Sequence, residues 1–343
     1  MVNLDEIKKE AKNTLEDGKV KYIIGYTKSS QSLMAAPVFV KKPEDVNKLI
    51  WDPTCFQNLV KFLLDEKRKK NREKEPDTRP VGIFVKGCDS RAINVLLQEN
   101  FIKREDVYIM GISCEDLGVL DEKKIFKKLK GEEPEKIEFD QRKNIVISYK
   151  EKTIKIPLKE ILAERCLECT ASFPVISDVF WGDRNNRSPK EPFKSLEQIE
   201  SLSQEKKWDF WQQQLSKCIR CYACRSVCPM CYCDECVVDS INLAVTAATT
   251  SEEKAQKIKW IEKSPESSEN FGYHLVRAMH LAGRCIDCSE CERVCPVDIP
   301  LRFLNKKLEK VAKELFDYKA GLDPEQPSLV SSFKDEDPED FIR

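Results

Sequence analysis

Apolar positions in the first half of the chain come in short runs broken by polar turns. In the second half they recur at helical spacing between cysteine-rich loops. Residues 4–17 place Leu4, Ile7, Ala11 and Leu15 on one face, which predicts an amphipathic helix. Residues 21–26 and 37–40 are rich in β-branched and aromatic side chains and predict strands. Pro43 followed by acidic residues opens a helix to residue 50, and a further helix is expected over 55–68. Residues 81–85, Val-Gly-Ile-Phe-Val, read as a buried strand, 86–90 as a turn and 91–99 as a helix. Residues 107–113 form the next strand, ending at Cys114. A lysine-rich helix and loop over 121–136 and a two-stranded hairpin over 143–156 follow. Residues 196–217, 271–283 and 301–316 predict helices, and 323–343, with three prolines and many acids, an extended tail lying on a partner.

These elements give an α/β N-terminal domain, then a mainly α domain, then an extended C-terminal tail. The expected divisions are an N-terminal helix at 1–19, an α/β domain at 20–185, a linker helix at 186–217, a cysteine-rich domain with an insertion at 218–300, and a C-terminal helix and acidic tail at 301–343.

Charge narrows the function classes. With 58 basic and 59 acidic side chains in 343 residues, the chain has no excess that would favour nucleic acid or an anionic membrane surface. No run approaches the ~18–20 apolar residues of a membrane span, and the N-terminus has no apolar signal core. The expectation is a soluble, cytoplasmic protein. Its 16 cysteines then point to metal or redox sites rather than to a disulfide scaffold. The charged segment over 66–80 reads as a solvated loop, with a docking surface as the alternative.

The chemistry centres on Cys218-Ile-Arg-Cys221-Tyr-Ala-Cys224-Arg-Ser-Val-Cys228-Pro229. It is repeated as Cys285-Ile-Asp-Cys288-Ser-Glu-Cys291-Glu-Arg-Val-Cys295-Pro296. Three cysteines at three-residue intervals sit on a tight loop whose N–H groups point at cluster sulfurs. The fourth, before proline, reaches across to the neighbouring cluster. This is the spacing of a bacterial-type two-cluster [4Fe-4S] ferredoxin domain. It assigns Cys218, Cys221, Cys224 and Cys295 to one cluster and Cys285, Cys288, Cys291 and Cys228 to the other. Zinc is the competing reading of Cys-x-x-Cys pairs, but a four-cysteine run before proline, given twice, is not a typical zinc pattern.

Eight cysteines remain. Cys88 and Cys114 end adjacent predicted strands and so share a sheet edge with the turn carrying Gly87, Asp89 and Ser90. A strand, a small-residue turn and a helix N-terminus make a favoured site for a phosphate or cofactor. With Cys166 and Cys169 these thiols could form a third [4Fe-4S] site, or Cys88 and Cys114 could be small buried apolar residues. Cys55, Cys231, Cys233 and Cys236 could hold a fourth cluster, a zinc ion, or nothing. His274 and His280 could tune a cluster or carry a proton, or simply complete a helix surface. Arg220, Arg225, Arg284 and Arg293 flank cluster cysteines, where positive charge stabilises a reduced cluster, though solvated arginines are common beside such loops. No G-x-G-x-x-G, phosphate-binding G-x-x-x-x-G-K-(S/T) or nucleophile–His–acid set is present.

Arg165-Cys166-Leu-Glu-Cys169 followed by Asp178-Val-Phe-Trp-Gly182-Asp183 resembles the beta-subunit family of deazaflavin-reducing (coenzyme F-420) hydrogenases and formate dehydrogenases. The family pairs an R-C-x-x-C segment with an A-D-(I/V)-x-x-G-D segment, and its strand-end cysteines resemble Cys88 and Cys114. The likeness covers roughly 20–185 and implies a [4Fe-4S] cluster on Cys88, Cys114, Cys166 and Cys169 beside an FAD. The turn at Gly87–Ser90 departs from the family's proline before and glutamine after the cysteine. Two functions follow. In one, the chain is an electron-transfer subunit passing single electrons through several clusters to catalytic and electron-transfer subunits of a redox complex (a formate dehydrogenase, hydrogenase, heterodisulfide-reductase-like or methylenetetrahydrofolate-reductase-like protein) or to soluble ferredoxin. In the other, it carries FAD and exchanges hydride with deazaflavin or NAD(P)H itself.

Overall fold

The computed structural model describes residues 2–114, 118–140, 143–185, 191–234, 236–238, 250–256, 261 and 264–330. The chain separates into two compact units. One is Met1–Pro192 with Gly321–Pro327; the other is Phe193–Ala320 with the residues from Ser328 onward.

The first unit opens with helix α1 (Leu4–Glu16), whose N-cap Asn3 accepts the Asp5 N–H and which buries Ile7, Ala11 and Thr14. Then come β1 (Ile23–Lys28), β2 (Ala35–Val40), α2 (Lys61–Lys70), β3 (Val81–Val85), α3 (Gly87–Gln98), β4 (Val107–Ile112) and α4 (Glu122–Lys128). A separate antiparallel sheet is built from β5 (Lys136–Asp140), β6 (Asn144–Tyr149) and β7 (Lys152–Pro157). The short α5 (Glu164–Leu167) and β8 (Val179–Trp181) follow. The main sheet has the order β2-β1-β3-β4-β8 and is mixed: β1–β2 is antiparallel, the other pairs parallel. All five residues of β3 are buried, as a central parallel strand covered on both faces requires. Val81 pairs with Val107 and Val85 with Gly111, so β3 and β4 end together. That shared edge brings Lys86–Cys88 beside Ser113–Cys114.

Four sequence expectations change here. Residues Pro43–Lys48 form a 3₁₀ turn, not the start of an α-helix. The helix expected from Cys55 begins at Lys61, because the Asn58 side chain accepts the Val60 N–H and Asp52 accepts the Thr54 N–H. Such side-chain bonds offer the backbone an alternative to helix. Residues 87–90 are not a turn but the first turn of α3. Strand β5 is hidden in the sequence, because lysines and acids alternate with its inward Ile137 and Phe139.

The second unit is helical, with a core of Leu215, Tyr273, Ile299 and Leu301 around Cys224, Cys291 and Cys295. Its helices are α6 (Lys194–Glu200), α7 (Gln204–Ser216), α8 (Ala223–Ser226), α9 (Ser251–Gln256), α10 (Ser267–Leu281), α11 (Glu290–Arg293) and α12 (Leu301–Phe316). The single helix expected over 196–217 is two, because the Ser203 hydroxyl caps α7 by accepting the Lys206 N–H. Residues 239–249, 257–260 and 262–263 of the insertion, 186–190 of the linker and 331–343 of the tail lie outside the described residues.

The start of the tail packs on its own chain. Asn94 of α3 donates to the Gly321 carbonyl (3.1 Å), and Gln98 donates to those of Asp323 (3.1 Å) and Gln326 (2.6 Å). Among the described residues no helix is long and apolar enough to cross a membrane.

Candidate metal centres

In the second unit the two cysteine motifs adopt one backbone shape twice. Arg220 and Tyr222 have φ of 57° and 60°; the equivalent Asp287 and Ser289 have 55° and 54°. Left-handed residues other than glycine cost roughly 1–2 kcal/mol each, and they persist only where the surroundings impose them. Alternating right- and left-handed residues turn successive N–H groups inward and make a concave anion site. Each loop then runs into a single helical turn, α8 or α11, that carries the third cysteine.

Backbone N–H groups already donate to sulfur: Arg220 to Cys218 Sγ and Ile299 to Cys295 Sγ, each at 3.4 Å. Asn305 Nδ2 lies 3.8 Å from Cys291 Sγ, and the Tyr273 hydroxyl 3.8 Å from Cys224 Sγ. The second loop is braced from α12. Arg302 grips Asp287 through two bonds of 2.7 and 2.8 Å, and Lys306 adds a third at 2.8 Å. Burial alone would raise the Asp287 carboxyl, but Arg302 and Lys306 outweigh it and hold it below the usual carboxylate range.

Several motif thiols neighbour one another. Cys221 and Cys224 act on Cys218, and Cys291 acts on Cys285. Burial pushes the Cys291 thiol up to about 12, with Cys228 and Cys224 adding to the effect. The fourth cysteine of the first motif therefore stands near the second motif. Cys231 neighbours Cys228 and Cys236, while Cys233 is exposed.

Arg277 is a residue that the motifs alone do not mark. It is only 7% exposed and donates to the Cys224 carbonyl at 3.0 Å, yet among the described residues its Nε has no hydrogen-bond partner. Burial works against its charge, but Cys291, Cys228, Cys231 and Cys224 outweigh that and keep it charged. An orphaned guanidinium nitrogen beside thiols of both loops fits an anionic thiolate-bound group. It lies on α10, one turn after His274. His274 is 2% exposed, and among the described residues neither ring nitrogen has a hydrogen-bond partner. Burial, then Arg277 and Arg220, lower its pKa to about 3, so the ring is neutral near pH 7. His280 lies on the same helix, and its backbone carbonyl accepts a hydrogen bond from Arg284 (3.3 Å).

The first unit gathers Cys88, Cys114, Cys166 and Cys169. A Cβ at Gly87 would stand 1.8 Å from the Ala171 carbonyl oxygen, so glycine alone lets α3 approach the segment after Cys169. The Cys114 N–H donates to the Ser172 carbonyl of the same segment (2.8 Å). A Cβ at Gly118 would meet Cys166 Cβ at 2.5 Å, a second close approach that sequence reasoning does not mark. The N–H groups of Val119 and Ala171 donate to the sulfurs of Cys166 and Cys169, each at 3.4 Å. Burial pushes the Cys114 thiol up to about 12, reinforced by Cys166 and Cys169. Cys88 is raised too, by burial and Asp89, against the opposing charges of Arg165 and Lys86.

Lys86, 3% exposed, contacts the Tyr26 hydroxyl, the Gln57 carbonyl (2.9 Å) and Asp89 (3.0 Å). Thiols, inward N–H groups and nearby cations again suit a thiolate-bound cluster. Cys55 is buried in this unit, near Asp52 and Lys86, and lines a small cavity with Cys114.

The residues of the expected cofactor turn, Gly87, Asp89 and Ser90, make contacts within the protein. Gly87 is packed against Ala171, Asp89 is spent on Lys86, and Ser90 bonds the Gly87 carbonyl (2.8 Å) and the Val175 N–H (2.9 Å). The cavity beside Cys55 and Cys114 encloses about 90 Å³, well below the roughly 300–1,000 Å³ of ligand pockets. Among the described residues no three thiol, imidazole or carboxylate groups are placed to hold a single metal ion.

Two family models match the chain. Residues 78–201 match the C terminus of the coenzyme F420 hydrogenase/dehydrogenase beta subunit, and this span holds Cys88, Cys114, Cys166 and Cys169. Residues 214–299 match the 4Fe-4S dicluster domain, a span that holds both ferredoxin-like motifs. The resemblance read from Arg165–Asp183 and from the paired motifs is borne out. The beta subunit of the F420-dependent formate dehydrogenase of Methanocaldococcus jannaschii is 24% identical over 346 residues, covering 84% of this chain and 83% of that protein. That of formate dehydrogenase 1 of Methanococcus maripaludis is 26% identical over 384 residues, covering 93% and 91%. A solved structure of the F420-reducing [NiFe] hydrogenase complex from Methanosarcina barkeri contains a chain 17% identical, matched over 50% of this chain and 64% of that one. Its TM-score of 0.34 carries no argument about the fold.

Proposed function

We propose that this chain is an iron–sulfur electron-transfer subunit of an oxidoreductase complex of the formate dehydrogenase or hydrogenase kind. The observation that carries the reading is the doubled loop, with left-handed residues at Arg220 and Tyr222 and again at Asp287 and Ser289. The dicluster match over 214–299 and the near full-length likeness to formate dehydrogenase beta subunits support it.

A [4Fe-4S] cluster takes up and releases one electron at a time. The chain's own residues would do the rest. Cys218, Cys221, Cys224 and Cys295 would hold one cluster; Cys285, Cys288, Cys291 and Cys228 the second; and Cys88, Cys114, Cys166 and Cys169 a third. Inward N–H groups of the loops stabilise negative charge on sulfur. Burial of Cys224, Cys228, Cys288, Cys291 and Cys295 excludes water. The partners are a catalytic subunit that breaks or forms the substrate's bonds and a one-electron carrier such as soluble ferredoxin.

Anaerobic reduction of the isolated chain with dithionite tests this reading. Paramagnetic reduced-cluster signals should appear and then disappear when oxidised ferredoxin is added. A chain with no reducible signal contradicts it. A second reading has the chain take hydride through its own FAD. Only the F420-dependence of the two formate dehydrogenase relatives favours it, and flavin retained by the isolated chain would support it.

A further inference from the structure

Arg277 is a buried side chain bonded to the first cluster loop and neighbouring a thiol of the second. It enters from α10, a different element from either loop. Its Nη2 donates to the Cys224 carbonyl at 3.0 Å, and its Nε has no partner among the described residues. Its charged neighbours in the site are thiol positions of both motifs, Cys224 and Cys228 from the first and Cys291 from the second, with Cys231 beside them. By contrast, Arg302 and Lys306, also buried in this unit, are spent on acids: both on Asp287, and Lys306 also on Glu309. No ion pair to Arg277 occurs among the described residues.

A four-thiolate [4Fe-4S] cluster is anionic and gains a further negative charge on reduction. A buried positive charge therefore favours the reduced form. At low local dielectric that preference is large compared with the effect of a solvated arginine. We propose that Arg277 is a positioning residue that sets the reduction potentials of both clusters of the dicluster unit. It would hold them high enough to accept an electron from a partner, and close enough to each other to exchange it. The inference rests on the reading that the two loops bind [4Fe-4S] clusters.

The test uses the full chain, purified anaerobically, as wild type, Arg277→Gln and Arg277→Lys. Glutamine keeps a donor for the Cys224 carbonyl without charge; lysine keeps charge on a shorter reach. Iron and acid-labile sulfide are measured first, since a wild type without them defeats the underlying reading, not this one. Redox titration followed by paramagnetic resonance then gives the midpoint of each cluster. In Arg277→Gln both dicluster midpoints should fall, with at least a tenfold loss in the reduced-to-oxidised ratio at fixed potential, about 59 mV for one electron. The signal from the N-terminal site should stay where it was. Arg277→Lys should fall in the same direction by less, and it decides the matter if the glutamine variant loses iron. Dicluster midpoints unchanged or raised in the deciding variant overturn the proposal. So does an equal shift at the N-terminal site, which would mark a general change in the fold.

Discussion

At the scale of single residues, close approach and burial decide what each position can bear. Gly87 is fixed by the Ala171 carbonyl, which a Cβ would meet at 1.8 Å. Gly87→Ala should push α3 away from the Cys169 segment, cost about 1–3 kcal/mol as overpacked cores do, and release iron from the N-terminal site. Iron analysis with thermal unfolding checks it: unchanged iron would mean that Gly87 does not hold Cys88 in place. His274 gives a pH dependence. Its folded pKa of about 3 lies below the ordinary 6.5, so the unfolded chain binds the extra proton and stability falls as pH drops through that window. From pH 7 to 5.5 the wild type should lose about 1 kcal/mol more than His274→Leu. Urea midpoints of the two proteins at both values measure the difference. Equal losses would mean that the ring is already protonated or that it finds an acceptor.

At the scale of elements, the repeated loop is the unit of design. Ser289 sits at φ 54° with no glycine to ease it. Ser289→Gly should therefore keep its clusters and its stability. Ser289→Val places a β-branched side chain where it does not fit; it should lose about 2 kcal/mol and the cluster built on Cys285, Cys288 and Cys291. Visible absorbance and thermal unfolding distinguish the two, and a valine variant as stable and coloured as the glycine variant would contradict the imposed conformation.

Much of this is legible in the sequence. Cysteine spacing marks both loops, and the apolar run at residues 81–85 and the helical pattern ending at Phe316 mark β3 and α12. What stays hidden are competitions settled by single side chains. Asn58 delays α2, Ser203 splits one helix into two, and Asp89 turns a loop into a helix start. Arg277 is hidden for another reason: its role depends on which face of α10 meets the loops, and one-dimensional spacing does not carry that.

At the scale of the whole molecule, an α/β unit with four gathered thiols and a helical unit with eight motif cysteines occur in one chain. Gly321–Pro327 pack with the first unit although they follow the helices of the second, so the chain passes from one unit to the other more than once. The tail read as a partner-binding segment is thus, over those residues, part of the fold: a Cβ at Gly321 would meet the Arg91 carbonyl at 2.0 Å. Cys55 belongs to the first unit and Cys231, Cys233 and Cys236 to the second. The proposed account needs three clusters, each on its own four cysteines. Iron and acid-labile sulfide per chain, measured on anaerobically purified full-length protein, test it most directly. The account predicts about 12 of each. A value near 8, the sum for two clusters, would remove the N-terminal site, and zinc in place of iron would contradict the account altogether.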